Sequence, residues 1–129
     1  MRFLRLSLLV ALIAGCQTIA DVPPGAGKKE VVDGHTYDQV WDAAYRVAAK
    51  HLVVNEHDKA AGRILAEEPV SVWSYGAWVG LYITPPTPGA RAYTVEVVSR
   101  KRVASDIGVE DWETKVLSDV RVALRPGGP

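Results

Sequence analysis

In this chain of 129 residues, 15 lysines and arginines are balanced by 15 aspartates and glutamates, a distribution that gives no electrostatic footprint for nucleic acid. A single cysteine excludes an intrachain disulfide, and the length admits one folded domain with a short appendage rather than two domains. Stability must come from an apolar core.

Met1 to Gly15 opens with Arg2 and Arg5, runs apolar from Leu6 to Ala14 with only Ser7 interrupting, and closes on small residues. That is the anatomy of a secretory signal, and it is shorter than the roughly 20 apolar residues of a spanning helix. Leu12-Ile13-Ala14-Gly15-Cys16 resembles the lipobox of bacterial lipoproteins. The resemblance implies cleavage before Cys16 and acylation, by palmitate or a similar chain, of its thiol and its new amine. No thiol would then be left for catalysis. Each buried CH₂ contributes about 0.8 kcal/mol, so several chains on one residue hold the protein at a membrane. The competing reading is an ordinary secreted protein in which Cys16 is incidental. Gln17 stands where an Asp would signal inner-membrane retention, so the resemblance points to the outer membrane of a Gram-negative envelope, facing the periplasm. Loss of Arg2 and Arg5 leaves the mature chain slightly acidic. The expected division is a signal peptide over 1–15, an acylated cysteine and flexible linker over 16–30, and one domain over 31–126.

Gln17 to Glu30 contains Pro23, Pro24, Gly25, Gly27, Lys28 and Lys29 and reads as a spacer. Val31 to Gly34 is either a short edge strand or the spacer's end. Thr36-Tyr37-Asp38-Gln39 fits a capping box, and Tyr37, Val40, Trp41, Ala44, Val47 and Ala48 follow at helical spacing. Leu52 to His57 and Arg63 to Glu67 flank Asp58-Lys59-Ala60-Ala61-Gly62 and predict a hairpin. Ala77 to Thr84 alternates in the manner of a strand and, across Pro85-Pro86-Thr87-Pro88-Gly89, is followed by another from about Arg91 to Arg100. Val109, Trp112, Val116, Leu117, Val120, Ala123 and Leu124 then form the stripe of a final helix, acidic at its start and basic at its end. The expected fold class is α+β, an antiparallel sheet of about four strands with two helices packed on it.

Tyr37-Asp38-Gln39-Val40-Trp41-Asp42-Ala43-Ala44, then Val53 to His57 and Asp58-Lys59-Ala60-Ala61-Gly62-Arg63-Ile64, resembles the start of a BamC-like domain, found in a lipoprotein of the β-barrel assembly machinery. It is equally similar to small bacterial lipoprotein families with no assigned activity. The resemblance covers roughly thirty residues. It implies a helix-grip-like unit that binds other proteins and is not an enzyme. The BamC protein has two such domains after a long extended segment, whereas this chain has room for one, and Trp73 to Trp78 has no counterpart in the pattern.

Catalytic and metal chemistry find no motif. His35, His51 and His57 lack the spacing of a zinc site. There is no Gly-x-Ser-x-Gly elbow and no Ser-x-x-Lys. Glu67-Glu68 and Glu110-Asp111 are adjacent acids, placed on opposite strand faces or at a helix start, so a carboxylate pair cutting peptidoglycan would need partners distant in sequence. No catalytic residue, metal or cofactor is therefore assigned. Trp73, Tyr75, Trp78 and Tyr82 are the candidate binding residues. Trp78 and Tyr82 share a strand face and have a packing reading, beneath a helix. Trp73 and Tyr75, beside Gly76, divide between core and an exposed protein-binding anchor. Arg100-Lys101-Arg102 reads as a solvated strand end. The expectation is a non-enzymatic, membrane-anchored envelope lipoprotein that engages an envelope protein as an interaction or assembly module. The alternative is a periplasmic small-molecule or glycan-binding module with an aromatic groove between helix and sheet.

Overall fold

The first helix, α1 (Tyr37–His51), begins at a complete capping box. The Thr36 hydroxyl accepts from the Gln39 N–H at 3.2 Å, and the Gln39 side chain accepts from the Thr36 N–H at 2.9 Å. Its stripe of Val40, Trp41, Ala44, Val47 and Ala48 is buried. Asp42 and Arg46, four apart on the outer face, do not pair through their side chains; the Arg46 guanidinium donates to the Asp42 carbonyl. The computed structural model describes residues 21–86 and 88–126, and the expected signal peptide, Cys16 and the first part of the expected linker lie outside the described residues.

Five antiparallel strands, not four, lie beneath the helices. They are β1 (Lys28–Asp33), β2 (Val53–Asp58), β3 (Arg63–Glu68), β4 (Ala77–Thr84) and β5 (Ala92–Lys101), in the spatial order β1-β5-β4-β3-β2. The two hairpins expected from the turn residues are both present. At the first, Gly62 has φ +68°, and a Cβ there would stand 2.3 Å from the Ile83 carbonyl oxygen. The helix α2 (Trp112–Ala123) closes the layer; Asp111 caps it by accepting from the Thr114 N–H at 3.1 Å.

The added strand is β1, paired with β5 from Lys28 opposite Val97 to Asp33 opposite Ala92. Folded structure therefore starts well before Val31, where the expected linker gave way to the domain. The residues that read as spacer are charged because they form a solvated edge, and they are tied to α2. Lys28 donates to Asp111 and Thr114 through its ammonium and to Glu113 through its backbone N–H, and Arg121 donates to Glu30. Charge on an edge strand also discourages pairing with another chain.

Strand alternation divides the side chains into two layers. Ile64, Ala66, Val79, Leu81, Ile83, Val95 and Val97 face the helices and meet the α1 stripe together with Trp112, Val116, Leu117 and Val120 of α2. Each fully buried aliphatic side chain contributes about 1.5–3 kcal/mol, so this layer is the main source of stability. On the opposite face, Leu65, Tyr82 and Val98 form a second small cluster with Val22, and Trp78 packs against it. Residues 21–27 thus run as a strap across the back of the sheet. The Tyr82 hydroxyl donates to the Val22 carbonyl, and the buried Glu96 carboxylate accepts from the N–H groups of Gly25 and Gly27. Gly27 permits this approach, since a Cβ there would lie 2.0 Å from the Val97 carbonyl oxygen.

Candidate docking surface

Two connections meet at the end of the sheet formed by Glu68, Ala77 and Lys101: the β3–β4 loop over 69–76 and the β5–α2 loop over 102–111. Within the first, the Ser71 hydroxyl accepts from the N–H groups of Trp73 and Ser74, each at 3.2 Å, and the Ser71 N–H donates to the Ser74 carbonyl. This is a tight turn of the kind serine favours. Gly76 leaves it with φ +82°, in close approach to the Glu68 carbonyl oxygen.

Asp106 joins the two loops. One carboxylate oxygen accepts from the Ser74 hydroxyl at 3.0 Å and the Tyr75 N–H at 2.8 Å, and the other accepts from the Gly108 N–H at 2.9 Å. The Gly108 N–H above all, with the Tyr75 and Ser74 donors and the charge of Lys101, holds this carboxyl below the ordinary aspartate range. At Gly108 a Cβ would stand 2.4 Å from the Trp73 carbonyl oxygen, so the loops touch backbone to backbone.

The braced loops push apolar side chains outward. Ile107 is 97%, Val72 92%, Trp73 86% and Tyr75 60% exposed, and Val70 is also exposed. Scattered exposed aliphatics are ordinary; here several are grouped on two tied loops. Trp73 and Tyr75 are thus brought together on the surface.

Trp78 and Tyr82 are elsewhere and serve packing. The expectation that their face lies beneath a helix is corrected: it is the back of the sheet, covered by the strap, because their parity in β4 is opposite to that of Val79, Leu81 and Ile83. Tyr82 is buried, and burial pushes its phenol above the usual range. Trp78 is half-buried with the Arg102 guanidinium 5.2 Å from its ring centre, and Arg102 pairs with Glu67. Neither ring can line a groove under α1, where Val40, Ala44 and Ala48 are fully buried against the sheet. The groove form of the ligand-binding alternative therefore loses its residues.

The polar candidates also have structural partners. Glu68 accepts from the Trp112 indole, Lys115 bonds Glu110, and Asp111, drawn down to about 2 chiefly by its bonds to Thr114, caps α2. His57 sits edge-on to Tyr45. His51 meets the Asp119 carboxylate of α2 at 2.7 Å rather than free carbonyls at its own helix end. That pair borders a hollow of about 180 Å³ between the helices, lined also by Arg46, Val47, Lys50, Val122 and Ala123. Among the described residues, no three His, Cys, Asp or Glu side chains are grouped to hold a metal ion, and no helix is long and apolar enough to cross a membrane.

Val70, Val72 and Ile107 are not among the residues that the sequence nominates for binding. Val70-Ser71-Val72-Trp73 alternates without the flanks of a strand, a signal that could have placed the first two with Trp73; Ile107 depends on the Asp106 tie and has no local signal. No protein-family model and no curated protein matches this sequence.

Proposed function

We propose that this chain is a non-enzymatic envelope lipoprotein, held at the outer membrane through Cys16 and facing the periplasm, that serves as a protein-interaction or assembly module. The observation that carries it is the braced apolar end built from Val72, Trp73, Tyr75 and Ile107. Trp and Tyr are the side chains most often found as binding anchors, and loops ordered in advance lose less entropy on docking. The lipobox-like segment supports the anchoring, and Asp111 is engaged in a cap and Glu67, Glu110 and Asp119 in ion pairs. Two helices laid on one face of an antiparallel sheet fit the helix-grip-like, BamC-like resemblance, and on that footing a part in outer-membrane biogenesis is the favoured role.

A photoreactive residue placed at Trp73 of the full chain in intact cells tests this, with mass spectrometry of the products. The reading expects a discrete adduct with an envelope protein. Recovery of lipid or cell-wall material only, or of nothing, would overturn it.

A further inference from the structure

The strap limits how far the domain can stand from its anchor. Val22 is fully buried over the row Leu65, Gly80 and Val98; its carbonyl is held by Tyr82, and the chain behind it is held by Glu96 through Gly25 and Gly27. Four residues, 17–20, intervene between Cys16 and the strap. At 3.3–3.6 Å per residue, that leash spans at most about 20 Å, whereas a spacer free as far as Glu30 would span about 50 Å.

The leash leaves the fold from the middle of the sheet's back, within reach of the docking end. Gly80 lies three residues along β4 from Ala77, where the braced loops begin, a distance of about 10 Å. A chain leaving at Val22 can therefore bring Cys16 level with the tips of Val72, Trp73 and Ile107.

We infer that the partner gripped by these tips is a protein embedded in the same membrane as Cys16, presenting apolar pockets at its lipid-proximal rim. The inference rests on the lipoprotein reading and deepens it. Charge favours a protein over the lipid itself: Arg100, Lys101 and Arg102 near the tips are offset by Glu67, Asp106 and Glu110, leaving no net positive field to draw the loops onto anionic headgroups. The shape agrees, since strongly exposed side chains on hydrogen-bonded loops are convex anchors that fit pockets.

The test uses full-length protein in intact cells with the photoreactive residue at Trp73. The native leash is compared with one lengthened by about thirty Gly and Ser residues between Ala20 and Asp21. The expected principal adduct is an integral protein of the anchor's own membrane, and its yield falls about tenfold with the long leash, following the loss of effective concentration. A principal adduct that is soluble or belongs to the opposite membrane, or a yield indifferent to leash length, overturns this inference and leaves the interaction module standing. An unacylated Cys16, or adducts with lipid alone, overturns the reading on which it rests.

Discussion

Asp106 is half-buried and lies in a loop, yet it fixes the relative position of two connections that sequence separates by about thirty residues. Asp106→Ala should speed amide exchange at Tyr75 and Gly108 while leaving the protection of the β4–β5 ladder unchanged. The same tie responds to pH with a definite sign. Because the folded carboxyl is shifted down, its contribution is complete above the unfolded value, near pH 4, and is lost as pH falls through the folded value. Exchange corrected for intrinsic rates should therefore show Tyr75 and Gly108 protected at pH 6 and freed in strong acid. Gly62 acts through backbone alone. Gly62→Ala forces a left-handed alanine, worth about 1–3 kcal/mol, and adds a clash with the Ile83 carbonyl. Denaturant unfolding should show a loss at the upper end of that range.

Elements that announce themselves locally were legible in the sequence, and those made by distant pairs were not. The α1 capping box lies within four residues, and the β2–β3 turn lies between two apolar runs, so both could be read directly. The strap and β1 depend on Glu96 reaching Gly25 across 71 positions and Lys28 reaching Asp111 across 83, contacts that leave no periodic trace. A stretch rich in Pro, Gly and Lys looked like a linker because its partners lay at the far end of the chain. The strap makes its own prediction: Tyr82→Phe removes the hydrogen bond to Val22 and should cost about 1 kcal/mol, with faster proteolysis confined to residues 21–27. At the start of α2, Asp111→Ala should cost about 1 kcal/mol at pH 7. Since the Asp111 carboxyl is lowered to about 2, that difference should fade as the pH is brought from 4 down to 2, as paired pH titrations of unfolding would show.

Across the whole molecule, the four tryptophans divide the labour between fold and surface. Trp41 and Trp112 are buried in the helix-facing core, Trp78 is half-buried behind the sheet, and Trp73 stands in solvent. Choosing Trp73 and Tyr75 as candidate anchors was within reach of the sequence, because they lie between the chain-breaking residues Pro69 and Gly76. Their separation from Trp78 and Tyr82 was not, because which face of β4 the helices cover is settled by packing. The most direct test of the account is to measure the W73S/Y75S double variant twice, once for unfolding free energy and once for capture of the envelope partner. A surface that exists for docking predicts stability within about 0.5 kcal/mol of the parent together with loss of capture. Stability lost on the scale of a core truncation, about 3–5 kcal/mol, or capture undiminished in a folded variant, would contradict it.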